Sequence, residues 1–372
     1  MDRLREIQRL GQSVWYDNIS RDLLESGEIA GLVEAGVTGL TSNPTIFEKA
    51  ISAGAVYDDA LAALAAEGLD AVTCYESLAF EDIRCAADLL RPAYDASGGD
   101  GFACLEVSPR LAHDTEATVA EALRLFAALD RPNAMIKVPA TPEGIPAIRR
   151  LTGSGINVNV TLIFSLEAHR NVMDAYISGL EDLAAAGGDV SSVASVASFF
   201  VSRVDTAVDG LLSESGASAE LMGKAAIANA RLAYRSFCEA FGGERFAALR
   251  AKGARVQRPL WASTSTKNPA YSDLLYIDNL IGPDTVNTMP PATLTAFIDH
   301  GEVRRTIDSD DAGAEQTLAD LEAAGVSMDA VTGKLLADGV KAFADSFELL
   351  LANVEAKRAL LLEREAAETV RP

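Results

Sequence analysis

Eight short apolar runs, set apart by much longer amphipathic stretches, constrain this chain more than any other feature. They are SVWYD (13–17), VTGLTSN (37–43), FACLEVS (102–108), AMIKV (134–138), INVNVT (156–161), VSSVASVAS (190–198), VQRPLWAS (256–263) and TVNTM (285–289). Between them lie segments such as CYESLAFEDIRCAADLLRPAYDA and TEATVAEALRLFAALD, whose apolar residues recur at helical spacing. Strands that alternate with helices pair in parallel through crossover connections. Eight such units predict an α/β fold, a closed (β/α)8 TIM barrel. A doubly wound open sheet is the alternative, but no GxGxxG follows the first run. The stretches 54–100 and 210–255 are long for single crossovers and predict extra helices. The segment 327–368 reads as one or more helices with a charged end. No Pro/Ser/Gly-rich linker and no fixed repeat divides the chain. A single domain over 1–372 is expected, with about 355–372 as an exposed or frayed tail.

Composition narrows the function. Hydrophobic residues make up 49% of the 372, enough for a large core. A net charge of −22 argues against general affinity for nucleic acid or an anionic membrane, though not against a small basic pocket. Cys74, Cys85, Cys104 and Cys238 form no CxxC pair, and His113, His169 and His300 match no metal motif. The opening MDRLREIQRLGQSVWYD lacks the apolar stretch of a signal peptide, and no run approaches a membrane span. A cytoplasmic protein with reduced thiols is expected.

Polar groups collect where the strands end: Asp17, then Thr41-Ser42-Asn43, Glu106, Lys137, Asn159 with Thr161, Ser198 and Ser263. In a barrel these ends meet at one face, where such enzymes do their chemistry. Each has an ordinary reading as well. Asp17 or Asn43 would cap the next helix, and Thr161 or Ser198 would bond local backbone. Lys137 is either a strand-end lysine reaching water or an amine that burial keeps partly neutral, ready to attack a carbonyl. Seven polar ends together with a strand lysine favour an active site.

These residues also carry a family resemblance. TSNPTIFEKAI (41–51), MIKVPATPEGIPAI (135–148), INVNVTLIFS (156–165) and SFFVSRVD (198–205) resemble, in order, the motifs of the transaldolases. The resemblance implies a class I aldolase-type barrel working through a lysine Schiff base, with no metal or organic cofactor. It implies transfer of a dihydroxyacetone unit from sedoheptulose 7-phosphate to glyceraldehyde 3-phosphate, giving erythrose 4-phosphate and fructose 6-phosphate. Lys137 resembles the Schiff-base lysine, Glu106 the acid/base that works with a water near Thr161, and Asp17 the base at the C4 hydroxyl. Asn43 and Asn159 match amides that hold the three-carbon unit. Thr41, Ser198, Phe200 and Ser263 fall among the pocket residues, and Arg203 matches the phosphate arginine. The ordinary alternative for Arg203 is a surface pairing with Asp205 or Glu214, and for Phe200 a plain core aromatic.

One position departs from the family. Many members place an arginine two residues beyond the serine matching Ser263; here Ser265 stands there, with Lys267 two further on. Lys267 offers a point charge rather than the planar fork of arginine. Two rivals remain. Fructose 6-phosphate aldolases share the barrel and lysine, but typically carry glutamine and tyrosine where Glu106 and Phe200 stand. A non-catalytic sugar-phosphate-binding barrel would have no need of a reactive amine. Sugar phosphates are the expected partners, and the sequence leaves a homodimer open.

Overall fold

In the computed structural model, which describes residues 2–97, 99–216 and 219–369, eight parallel strands form a closed barrel. The strands are β1 Gln12–Tyr16, β2 Gly39–Leu40, β3 Phe102–Glu106, β4 Ala134–Pro139, β5 Val158–Ile163, β6 Ser195–Phe200, β7 Gln257–Ala262 and β8 Thr285–Met289. Each pairs with the next, and β8 pairs with β1 to complete the ring. The open sheet is thereby excluded. Five of the strands are buried at every position in runs of five or six residues, as expected where helices cover the outside and side chains fill the inside.

Two runs are shorter as strands than their apolar character suggests. Of residues 37–43 only Gly39 and Leu40 pair, because the chain turns after Thr41 and Asn43 caps the helix Pro44–Ser52. A side chain at Gly39 would collide with the indole of Trp15, its Cβ lying 2.4 Å from the ring. Of residues 190–198, Val190–Ser192 form a 3-10 turn. The Asp189 carboxylate accepts from the Ser191 N–H at 2.9 Å there, and β6 begins only at Ser195. Conversely, β5 runs past Thr161 to Ile163. Its register slips between Val160 and Ile163, and Leu162 adopts a left-handed φ of 59°. A bulge of this kind re-aims side chains at a barrel rim.

The long connections contain the extra helices expected of them. Asp58–Ala66 and Ala71–Ser97 precede β3, and Ala225–Gly242 and Glu244–Arg250 precede β7. After the last strand the chain ends its described course in one 42-residue helix, Met328–Thr369. This closing helix packs on Pro44–Ser52, Asp58–Ala66 and Ala71–Ser97, and so reaches the mouth of the barrel. The tail anticipated over 355–372 continues this helix to Thr369; residues 370–372 lie outside the described residues. Among the described residues no helix is long and apolar enough to cross a membrane.

Candidate active site

Lys137 lies mid-barrel on β4, its side chain only 7% exposed. Its Nζ donates to the Ser42 carbonyl at 2.8 Å and stands 3.6 Å from Glu106 Oε2. Glu106 is the residue opposite Lys137 in the β3–β4 register. Burial pushes the Glu106 carboxyl up to about 6, against the pull of the Lys137 charge. Two buried oxygens beside the amine, Glu106 Oε2 and Thr161 Oγ1, have no hydrogen-bond partner among the described residues. Orphaned oxygens of this kind suit a bound water or a substrate hydroxyl.

Asp17 directly follows β1, and its N–H still donates to Met289 O at 2.9 Å. Thr41 Oγ1 donates to Asp17 Oδ1 at 2.6 Å and lies 2.7 Å from Thr288 Oγ1. Since a hydroxyl carries one proton, Thr288 must donate to Thr41, and the chain Thr288–Thr41–Asp17 fixes the carboxylate. Burial raises the Asp17 pKa, with the Thr41 bond and the charges of Lys137 and Lys267 opposing it. Asp17 and Glu106 are thus two buried carboxyls whose pKa values both move up and which both feel the Lys137 charge.

The amides divide. Asn43 is the helix cap that its position allows, accepting the Ile46 N–H at 3.0 Å, yet it also lines the cavity. Asn159 does not line it. It is fully buried, accepting from Ser198 Oγ at 2.7 Å and donating to Cys104 Sγ at 3.4 Å. Neither Thr161 nor Ser198 bonds local backbone. Both line the cavity, Thr161 with its hydroxyl unpartnered and Ser198 with its hydroxyl bonded to Asn159.

The cavity around these groups holds about 150 Å³ and opens to a wider mouth of about 640 Å³. Ten of the twelve expected residues line it: Lys137, Asp17 and Thr161; Thr41, Asn43 and Ser198; Phe200, Arg203, Ser263 and Lys267. Glu106 and Asn159 are the exceptions. Arg203 pairs with neither Asp205 nor Glu214; Asp205 instead accepts from the Ala226 N–H and the Tyr276 hydroxyl. The Arg203 guanidinium lies 5.2 Å from the Phe200 ring centre, and burial lowers its pKa. Arg203 and Lys267 both reach the inner cavity and its mouth, and neither forms an ion pair among the described residues. Ser263, at a left-handed φ of 56°, is a strained strand-end residue of a kind that clusters at functional sites.

Sequence reasoning missed five lining residues: Ala262, Ser265, Thr288, Pro290 and Phe343. Thr288 carried a signal, since it lies near the end of the eighth run, whose polar end was not counted. Phe343 carried none. It comes from the closing helix, and its ring centre is 6.0 Å from Lys137 Nζ.

Residues 14–354 match the family model described as Transaldolase/Fructose-6-phosphate aldolase. A protein named Transaldolase from Saccharopolyspora erythraea is 53% identical over 353 residues, covering 94% of this chain and 96% of the relative. One named Transaldolase 2 from Nostoc is 48% identical, covering 97% of this chain and 99% of its own. One named Transaldolase from Thiobacillus denitrificans is 49% identical, covering 95% and 100%. With this coverage and identity over a closed eight-stranded barrel, the chain belongs to the transaldolase/fructose-6-phosphate aldolase family.

Proposed function

We propose that the protein is a transaldolase of the pentose phosphate pathway, carrying a dihydroxyacetone unit on Lys137 from a ketose phosphate to an aldose phosphate. The donor and acceptor are sedoheptulose 7-phosphate and glyceraldehyde 3-phosphate, and the products are erythrose 4-phosphate and fructose 6-phosphate. One observation carries the mechanism: a buried lysine amine held 3.6 Å from a carboxyl whose own pKa is raised to about 6. In this mechanism the carboxylate takes a proton from the amine, which frees it as a nucleophile.

Lys137 Nζ adds to C2 of the ketose. Glu106 protonates the departing C2 oxygen, which leaves as water while the nitrogen lone pair closes the C=N bond. Asp17 takes the C4 hydroxyl proton, the C3–C4 bond breaks, and its electrons pass into the iminium to give an enamine. The aldose phosphate leaves, another enters, and every step reverses. Arg203 and Lys267 hold the distal phosphate, and Phe343 and Phe200 wall the enamine from water. Asn159 acts from beneath, presenting the Ser198 oxygen rather than its own amide. The transaldolase reading is preferred to the aldolase because Glu106 and Phe200 stand where those relatives typically carry glutamine and tyrosine. We assign the work to the cytoplasm, where the four free cysteines would stay reduced, and treat barrel and closing helix as one domain.

The experiment is direct. With fructose 6-phosphate and erythrose 4-phosphate, the protein should release glyceraldehyde 3-phosphate. Borohydride should fix the donor on the peptide holding Lys137 and on no other. A label elsewhere, or transfer persisting in Lys137→Ala, refutes the mechanism.

A further inference from the structure

A second cavity, of about 210 Å³, meets Glu106 without meeting Lys137. Its walls come from the helix Ala71–Ser97 through Tyr75 and Ala79, from the helix Thr115–Leu129 through Glu121, and from the closing helix through Phe347. Phe343 and Phe347 are one turn apart on that helix, so the two cavities flank a single turn of it. Glu106 stands at the boundary, lining this rear cavity while its Oε2 approaches the amine that lines the front one.

The rear cavity is polar where it counts. Tyr75 is 8% exposed and lies edge-on between Phe47 and Phe347, with ring centres 5.7 and 5.8 Å away. In the same cavity Glu106 Oε2 is buried and takes no hydrogen bond among the described residues. A buried carboxylate oxygen left unpaired is costly, and water is the ordinary remedy. At about 30 Å³ per molecule the cavity admits several waters. Bidentate pairs brace its outer side, Arg124 with Glu76 at 2.8 and 2.6 Å and Arg110 with Glu348 at 2.6 and 2.7 Å.

The reaction needs such a space. Closing the Schiff base breaks the C2–O bond, and the oxygen departs as water with the proton from Glu106. Hydrolysis requires a water back at C2, with its proton passing to Glu106. A sugar phosphate filling the front cavity of about 150 Å³ leaves little room there. We propose that the rear cavity is the water port of the reaction, through which this molecule leaves and returns past Glu106 and Tyr75 while the sugar holds the mouth. The inference rests on the Schiff-base reading of Lys137.

Oxygen exchange tests it. In Asp17→Asn, which keeps an acceptor for Thr41 but cannot take the C4 proton, fructose 6-phosphate stays whole in the mouth. Each reversible Schiff base can then replace the C2 oxygen with one from heavy-oxygen water. Two added substitutions narrow the port: Ala79→Val from within, and Val72→Phe at its exposed edge, where Val72 is 37% accessible. We expect label to enter fructose 6-phosphate about tenfold more slowly in both, with the borohydride-trapped adduct undiminished. Should Ala79→Val disturb the fold, Val72→Phe carries the comparison. Label entering at the unreduced rate in Val72→Phe, with the adduct retained, overturns the water port. The adduct is scored separately in the wild type, so failure of the Schiff-base reading appears there and not in the exchange rate.

Discussion

Glu106 and Lys137 face each other across adjacent strands, and the amine gives its close hydrogen bond to the Ser42 carbonyl, not to the carboxylate 3.6 Å away. Glu106 Oε2 is thus left without a hydrogen-bond partner among the described residues.

The first prediction follows from its pKa. Burial lifts Glu106 from 4.5 to about 6, and Asp17 also moves up. Both must be ionised in the free enzyme to accept protons, so kcat/KM should fall as pH drops through about 6. The same shift favours the protonated folded state, so this group's contribution to stability is present below 4.5 and lost as pH rises through about 6. A pH–rate profile of Glu106→Gln should lack the limb near 6; an unchanged limb would assign it to another group.

Glu106→Gln also tests partitioning. Removing a positioned proton-transfer group should cost about 10²–10⁴-fold in transfer. Cleavage of fructose 6-phosphate to free dihydroxyacetone should suffer less. Parallel assays of both reactions decide it, and equal losses would exclude Glu106 from control of the enamine.

At the phosphate, Arg203→Ala should raise KM for sugar phosphates by about 10- to 100-fold, the value of a hydrogen bond to a charged group. Lys267→Ala should do the same more weakly. With unphosphorylated dihydroxyacetone as donor, both losses should nearly vanish. Losses that ignore the phosphate would make these residues structural.

Ser198→Ala should destabilise the fold by about 1–3 kcal/mol, because it orphans Asn159 Oδ1 inside the barrel. Urea melts of the single variants and of Ser198→Ala/Asn159→Ala should show strong coupling; additive losses would dissolve the pair.

How much of this was legible in the chain varies by element. Run 285–289 matches β8 residue for residue, since its flanks carry clear turn residues. Runs 37–43 and 190–198 misled, because apolar content does not reveal that Asn43 or Asp189 will turn the backbone into a helix. Lys137, Asp17 and Glu106 were visible as polar groups at strand ends. Their mutual geometry was not, because it depends on the register of β3 against β4 and on the slip in β5 after Val160. The rear cavity had no signature at all, being made where four separate elements fail to fill the space between them.

Phe343, on the closing helix, belongs to a segment that follows all eight strands in the chain. A ribosome therefore finishes the barrel before it finishes the site. Until that helix has been made, the ring that stands 6.0 Å from Lys137 Nζ is missing from the cavity. The order of synthesis thus leaves one wall of the lysine's cavity to an element made after every strand.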